Sequence, residues 1–290
     1  MNKNTTALMC LFVRYYHTNN SNIKVYNDTY AKDILTRNEV DNISTNLTEG
    51  INFFNKDYNG DNPLKWIVNN YLAPSILARF AFNERHLLNE LKLGLKQYII
   101  LASGYDTSAY KFNHMLSVFE VDLKEMIDDK LKRVDKAGIN VKNVTYVSTN
   151  FNTSWINDLL SSGLNKEDKS FCSALGISYY LDKEAFYYTV KVISSVLPKG
   201  STILFDYPNN FETSKEKINR KLALAAGEKM KSIYSYKDME ALADKCDCLI
   251  YEHLNNADIN NQYFYNYNTL NPGDKLSAPE GVSYVMFVKQ

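Results

Sequence analysis

Apolar residues recur at helical spacing through the first third of the chain. The stretch TTALMCLFVRYYH, residues 5–17, has the period expected of an amphipathic helix. Residues 63–94 show the same period over two or three helices, which we expect Pro74 to break and Gly94 to end. The intervening residues 17–62 are rich in Asn, Asp and Thr and are predicted to form short helices and loops.

Beyond residue 95 the pattern changes to strands and helices in alternation. Continuous apolar runs such as KQYIILA, residues 96–102, are typical of strands buried on both faces of a parallel sheet. Amphipathic stretches, for example residues 124–138 and 183–200, separate these runs, and a polar stretch separates the last two. The alternation predicts a doubly wound α/β fold. The seven predicted strands are 96–102, 117–123, 143–151, 169–176, 201–207, 248–254 and 283–290.

Composition and charge narrow the classes of partner. The 290 residues are 45% hydrophobic and 23% charged, which suits a globular protein with one large domain. The 33 basic and 33 acidic residues give a formal net charge of +0, so neither nucleic acid nor a membrane surface is an expected partner. No stretch is long enough to span a bilayer, and the apolar run 7–13 lacks the flanks of a signal peptide.

The four cysteines argue against a metal site. Cys246 and Cys248 form a C-x-C pair with no second pair downstream, so we expect no zinc site. Together with Cys10 and Cys172 they are best interpreted as free thiols in a reducing environment, which predicts a cytoplasmic protein.

The first predicted strand ends in small residues. The run Tyr98–Leu101 is followed by Ala102, Ser103 and Gly104, where a ligand can approach the backbone closely and Gly104 can adopt a positive φ. Ligands of doubly wound sheets lie beyond the carboxyl ends of the strands, so this turn is a candidate binding site. A single glycine falls short of the G-x-G-x-x-G pattern that cradles a pyrophosphate.

An acidic residue ends the second predicted strand. Asp122 lies about 20 residues past the turn, the spacing of an acid that holds ribose hydroxyls. The alternative is that Asp122 caps the helix that follows it. Because one glycine argues for a ligand without phosphates, the favoured ligand is an adenosine that carries an amino acid, namely S-adenosyl-L-methionine.

Five motifs together resemble the leucine carboxyl methyltransferase family, which includes bacterial O-methyltransferases assigned to polyketide-type biosynthesis. IILASGYDTSAYKF is similar to the family's LGAGxDTRxYRL, and FEVDLKEMIDDK to its FEVDxPxVxxxK. YVSTNFN resembles xVxxDLR, SALGISYYL resembles AEGLLxYL, and ILARF resembles the family's arginine motif. The similarity runs in order from about Arg79 to Leu181 and extends more weakly to the N-terminus.

The resemblance implies a class I methyltransferase fold, a Rossmann-like mixed sheet of seven strands. Its last strand, residues 283–290, would insert antiparallel beside the fifth. Residues 1–95 would form a helical lid over the acceptor region, packed on a cofactor-binding core in residues 96–290. The implied cofactor is S-adenosyl-L-methionine, with S-adenosyl-L-homocysteine as the product.

The resemblance also implies roles by position. Arg79 would pair with the methionine carboxylate, a contact that guanidinium geometry suits, whereas its local pattern alone favours a surface arginine on a helix. Gly104 would line the methionine moiety, and Asp122 would hold the ribose. Asn150 and Phe151 would flank the adenine. The complete set of expected cofactor contacts is Arg79, Ala102, Ser103, Gly104, Asp122, Leu123, Asn150, Phe151, Ala174 and Leu175.

Three positions depart from the family pattern. Ala102 replaces a glycine, and Asn150 replaces an acid while keeping an acceptor oxygen for the adenine amino group. Leu175 replaces a glutamate that is expected near the cofactor's ammonium, a loss of about 1.5–3 kcal/mol if nothing compensates. Either a backbone carbonyl near Ala174 takes the ammonium, or the chain binds the cofactor weakly or no longer catalyses.

The implied reaction is methyl transfer to a carboxylate or hydroxyl of a small, polyketide-like acceptor. A carboxylate needs no general base, whereas a hydroxyl needs one nearby. The candidates are Tyr180, Asp206 and His17, beside Tyr179 and Tyr207. Each has a structural alternative: a turn at the strand end, aromatic packing under the lid, or an exposed helix end. A second lid cation, Arg14, is a candidate contact for a substrate carboxylate.

Two other functions fit parts of the sequence. A nicotinamide-dependent oxidoreductase would use the same sheet and Asp122, but it should have a glycine-rich turn. A non-catalytic protein that binds adenosine or S-adenosylmethionine would explain Asn150 and Leu175.

Overall fold

The computed structural model describes residues 5–151, 155–211, 213–225 and 227–290. Its strands are β1 Gln97–Leu101, β2 Ser117–Asp122, β3 Val144–Ser148, β4 Ser170–Ala174, β5 Thr202–Pro208, β6 Cys248–Leu254 and β7 Val282–Lys289. They form a sheet in the order β3-β2-β1-β4-β5-β7-β6. β7 runs antiparallel to β5 and β6, and the other pairs are parallel. The predicted doubly wound, mixed seven-stranded sheet is confirmed, including the placement of its last strand.

The middle of the sheet explains the apolar runs in the sequence. All residues of β1 and β4 are buried, as expected of parallel strands covered on both faces. β1 lies between β2 and β4, so the strand order reverses at this point. The carboxyl ends of these three strands therefore meet where doubly wound folds bind their ligands.

Helices dominate the chain before β1. Residues 63–92 form one continuous helical path, because a π turn, Val68–Leu72, joins two α-helices. The predicted break at Pro74 is wrong: the π turn changes the hydrogen-bond register directly before it, and the first turn of a helix needs no N–H from proline. Gly94, with a φ of 83°, follows the helix end as predicted. The N-terminal helices are α1 Thr5–Asn20, α2 Ala31–Ile34, α3 Arg37–Glu49, α4 Ile51–Phe54, α5 Pro63–Ile67 and α6 Ala73–Lys92.

The N-terminal helices share a core with the sheet. One hydrophobic cluster contains Leu11 and Phe12 of α1 together with Tyr98 and Ile100 of β1. The helical region therefore packs directly on the strands that carry the candidate site. The division of the chain near residue 95 into a lid and a core stays a prediction.

The remaining helices flank the sheet or follow its strands. They are α7 Ser108–Phe112, α8 Lys124–Lys136, α9 Trp155–Ser161, α10 Lys183–Ser194, α11 Ser214–Ala225, α12 Tyr236–Lys245, α13 Asn256–Ile259 and α14 Tyr265–Leu270. A π turn, Asn260–Phe264, joins the last two, so the polar stretch before β7 is largely helical. The region 17–62 also holds a longer helix than predicted, α3. Throughout the described ranges, no helix is long and apolar enough to cross a membrane, and no three His, Cys, Asp or Glu side chains cluster as metal ligands.

Candidate functional site

The turn after β1 has a backbone that favours glycine. Ala102 has a φ of 50° and Gly104 a φ of 48°, both in the left-handed region. A Cβ atom on Gly104 would lie 3.4 Å from the Cβ of Ala7 in α1. The turn is therefore narrow, and the N-terminal helix passes directly over it.

Two backbone amides hold the carboxylate of Asp122 at the end of β2. The N–H of Gly104 donates to Oδ2 at 2.7 Å, and the N–H of Leu123 donates to Oδ1 at 2.7 Å. Burial raises the pKa of Asp122, and these two hydrogen bonds oppose that rise. The carboxylate is thus fixed beside the turn, and each oxygen keeps lone pairs for a ligand.

A cavity of about 190 Å³ opens at these strand ends. Six of the ten predicted cofactor contacts line it, and they come from α6, from the turn after β1 and from the ends of β2 and β4. They are Arg79, Ala102, Ser103, Gly104, Asp122 and Leu175. Sequence positions about 100 residues apart along the chain therefore meet here, because parallel strands present their carboxyl ends at one edge.

The other four predicted contacts are not on this cavity wall. Leu123 contributes its backbone N–H to Asp122, while its side chain is exposed. Ala174 is buried in the core. Phe151 packs edge-to-face on Trp155 with ring centroids 5.3 Å apart, and Asn150 is exposed. Residues 152–154, which follow Phe151 in the sequence, lie outside the described residues, and the adenine contacts stay a prediction.

The guanidinium of Arg79 lies in a compact polar cluster. Nη1 is 3.4 Å from Oδ2 of Asp206, and Nη2 is 3.3 Å from Sγ of Cys10. A Cβ atom on Gly176, whose φ is 74°, would come within 3.0 Å of Nη1. Within the described residues, the buried Nε of Arg79 has no hydrogen-bond partner. Arg79 is therefore a site residue and not a surface arginine, and it keeps donors for an anionic group.

The structure separates the three candidate bases. Asp206 is fully buried and accepts hydrogen bonds from the Gly176 N–H at 2.6 Å and the Tyr179 hydroxyl at 2.9 Å, so it holds Arg79 and has no free path to an acceptor. Tyr180 lines the cavity, and burial raises its pKa.

His17 does not come down from the lid. It is 4% exposed, its Nε2 accepts the N–H of Val25 at 3.0 Å, and it does not line the cavity. Burial, followed by the charge of Lys24, lowers its pKa to about 4. The expectation that His17 acts as a base or ends an exposed helix is corrected, because its ring nitrogen is used inside the fold.

Two further candidates are also engaged internally. The Tyr207 hydroxyl lies 2.6 Å from Nε2 of His253. Arg14 touches the cavity, but its Nε pairs with Asp28 at 2.7 Å and its Nη2 donates to the Tyr105 carbonyl at 2.6 Å. Arg14 thus ties α1 to the turn after β1 and is not a free cation for a substrate.

A second cavity, of about 620 Å³, adjoins the first. The two share Thr6, Cys10, Arg79, Gly176 and Tyr180 on their walls. Helices α1, α3, α6 and α11 enclose the larger cavity with mainly apolar side chains. These include Met9, Leu47, Leu72, Ile76, Leu222, Ala223 and Met230.

Sequence reasoning missed several residues of both cavities. Cys10 and Thr6 were within a predicted helix, and only the packing of α1 brings them to the junction. Glu228, after α11, also lines the smaller cavity. Gly176, two residues after the end of β4, carried a usable signal, since glycine often marks a close approach of another group to the backbone.

The chain matches a known protein family over more than half of its length. The leucine carboxyl methyltransferase family matches residues 7–194. YktD of Bacillus subtilis (strain 168), which bears the provisional name of an S-adenosyl-L-methionine-dependent methyltransferase, is 36% identical over 98% of this chain and 97% of its own length. A protein of Mycobacterium ulcerans (strain Agy99) with the same provisional description is 26% identical over 73% of this chain and 65% of its own.

A solved structure from Bordetella parapertussis has a similar fold. It is described as a possible exported protein and superposes with a TM-score of 0.53, covering 99% of this chain and 96% of its own at 9% identity. At this identity the likeness concerns the fold alone.

Proposed function

Because this chain belongs to the leucine carboxyl methyltransferase family and is an S-adenosyl-L-methionine-dependent methyltransferase, we propose that it methylates an oxygen of a small apolar acceptor, with a carboxylate as the preferred group. The family assignment supports the methyltransferase prediction over the nicotinamide oxidoreductase alternative. The acceptor and the atom that receives the methyl group are the proposed part.

The residues of the smaller cavity fit the cofactor. Asp122 offers two fixed carboxylate oxygens for ribose hydroxyls. Arg79 offers further donors for a carboxylate beside a buried Nε that has no partner among the described residues. The narrow turn at Gly104 leaves backbone at close range for a ligand chain. When bound, S-adenosyl-L-methionine supplies an electrophilic methyl group on a sulfonium.

The observation that carries the proposal is the apolar cavity of about 620 Å³ that shares a wall with this site. Its volume is typical of pockets for small molecules. Helices of the N-terminal region and α11 cover it, which favours a small molecule over a protein or nucleic acid surface. Holding an acceptor at the shared wall would place it next to the cofactor site and exclude water, and such positioning supplies much of the rate in group transfer.

The choice of a carboxylate follows from the titratable groups. Of the described residues on the larger cavity wall, the titratable ones are Cys10, Tyr71, Arg79, Tyr179 and Tyr180. Burial raises the pKa of all three tyrosines, so none is a ready proton acceptor at neutral pH. A carboxylate is already ionised and needs no base, whereas a phenol or alcohol would.

The proposal is tested with matched acceptors. Purified protein is incubated with radiolabelled S-adenosyl-L-methionine and pairs of apolar carboxylic acids and alcohols or phenols that share a carbon skeleton. We expect methyl esters from the acids, with a rate that is flat above the pKa of the acceptor. Labelled ethers alone, with a rate that rises toward the pKa of a phenol, would contradict the carboxylate preference.

A pair of variants on α11 tests the location of the acceptor. Ala225 lines the larger cavity, whereas Leu224 is 60% exposed and does not line it. Ala225→Trp should raise the KM of the acceptor at least tenfold while affinity for S-adenosylhomocysteine stays unchanged. Leu224→Trp is the matched control and should change neither value. Equal KM values for both variants would place the acceptor elsewhere.

A further inference from the structure

We propose that Glu228 binds the ammonium of the cofactor's methionine part and so replaces the acid that is missing at Leu175. The inference rests on the cofactor and not on the acceptor proposed above, so the two can fail separately. Glu228 follows α11, far along the chain from the strand-end motifs.

Leu175 leaves the cavity wall without the acid that the family pattern has at this position. Its side chain lines the smaller cavity, so the position does face the ligand site, yet it offers no acceptor for a cation. Ala174, whose carbonyl was the alternative acceptor, is buried and does not line the cavity. An acid that pairs with an ammonium in this cavity would therefore have to come from another segment.

The carboxylates on the described cavity wall differ in the groups that they contact. Asp122 is fixed at the turn by two backbone amides. Asp106 is buried, and its Oδ1 accepts from both the N–H and the hydroxyl of Ser108, at 2.7 and 2.5 Å. Of the acids on the described wall, Glu228 is the one whose charge acts on Tyr180, a residue of the same wall.

The fold holds Glu228 in place. Its backbone N–H donates to the Ala223 carbonyl at 2.9 Å, which ties it to the end of α11. Three residues later, the Lys231 N–H donates to the Tyr179 carbonyl at 2.8 Å, which ties the segment to the loop after β4. The segment that carries Glu228 is therefore anchored both to α11 and to the loop after β4.

The local electrostatics suit a cation. Burial raises the pKa of Glu228, and a hydrogen bond with the Thr6 side chain opposes the rise. A bound ammonium would stabilise the ionised form in the same way. Arg79 and Glu228 then form a pair of opposite charges on one cavity wall, which matches the carboxylate and ammonium of a free amino acid group.

Calorimetric titration with two ligands tests the inference. S-adenosylhomocysteine carries the amino acid group, and 5′-methylthioadenosine carries the same adenosine thioether without it. We expect Glu228→Gln to weaken S-adenosylhomocysteine binding about 10- to 100-fold and to leave 5′-methylthioadenosine binding within twofold. Glu240→Gln removes a charge from an exposed position on α12 and should change neither affinity.

A third ligand isolates the ammonium. The deaminated analogue of S-adenosylhomocysteine keeps the carboxylate, so wild-type protein should bind it more weakly than the parent compound, and Glu228→Gln should bind both alike. Unchanged affinity for S-adenosylhomocysteine in the variant would overturn the inference, including the case in which turnover alone is lost and Glu228 acts as a base. Equal losses for all three ligands would also overturn it, because they would indicate a structural role.

Discussion

The smaller cavity has two halves that are built in different ways. The strand half consists of Ala102–Gly104 and Asp122, which lie at the ends of β1 and β2 and are joined by a hydrogen bond from the Gly104 N–H to the Asp122 carboxylate. The helix half consists of Cys10, Arg79 and Glu228, which come from α1, from α6 and from the segment after α11. The two halves face the same space.

The two halves orient their side chains by different means. In the strand half, backbone amides at fixed positions of the sheet orient one carboxylate. In the helix half, charged side chains orient each other, as Asp206 does for Arg79. We therefore expect changes in the strand half to act mainly on binding, and changes in the helix half to act on both folding and binding.

The largest effect is expected for Arg79→Met. It leaves Asp206, whose side chain is 1% exposed, without its cation. Removing one partner of a buried pair costs about 3 kcal/mol or more, so urea unfolding should show a clear loss of stability. The double variant Arg79→Met/Asp206→Asn should recover most of that stability but none of the affinity for S-adenosylhomocysteine. If Arg79→Met unfolds like the wild type, the ion pair does not organise the helix half.

Asp122→Ala should act on binding in the strand half. It removes the acceptor for two ribose hydroxyls, so affinity for S-adenosylhomocysteine should fall about 100-fold, or about 3 kcal/mol. Asp122→Asn keeps one acceptor oxygen and should lose less. Calorimetry measures both, with 5′-methylthioadenosine expected to be affected equally because it carries the same ribose. Unchanged affinity in Asp122→Ala would favour the role of a helix cap.

Acidification should destabilise the folded protein through His17, which lies in α1. The pKa of His17 is lowered by burial from 6.5 to about 4, so the unfolded state takes up a proton over this window while the folded state does not. Stability therefore falls as the pH drops from about 6.5 toward 4, by about 2 kcal/mol at pH 5.

Urea unfolding at pH 7 and pH 5 measures this loss. Burial also lowers the pKa of His86, so His86 should add to the loss in the same direction. In His17→Gln the pH dependence of the unfolding free energy should shrink by the contribution of His17, because glutamine does not titrate. Glutamine can still accept the Val25 N–H, so the contact itself is kept. The same loss in both proteins would show that His17 does not carry the effect.

The smallest effect is expected for Ala102→Gly in the strand half. Ala102 has a positive φ, which costs a residue with a Cβ atom about 1 kcal/mol relative to glycine. The variant should therefore be more stable by about that amount in urea unfolding. Ala137→Gly, at a φ of −80°, is the matched control and should lose stability. Equal changes in the two variants would mean that the backbone of the turn is not strained.

The sheet could be predicted from the sequence because each buried strand is a short apolar run, and the residues next to the run show where it begins and ends. All seven strands lie where the runs occur, although the third and fourth are shorter than predicted, at Val144–Ser148 and Ser170–Ala174. The helix before β7 was missed because the π turn Asn260–Phe264 shifts its buried residues, Ile259, Phe264 and Tyr267, away from the ordinary 3.6-residue period. A π turn likewise misled the prediction at Pro74.

The strand half of the site could be predicted from the sequence alone. The small residues after β1 and the acid at the end of β2 follow directly from strand ends, and parallel strands always bring such ends together. The family resemblance already pointed to Arg79, but the rest of the helix half and the adjoining apolar cavity became visible only in the folded structure. Cys10, Arg79 and Glu228 meet because helices far apart in the chain pack on one another, and helical periodicity shows which face is buried but not which partner it meets.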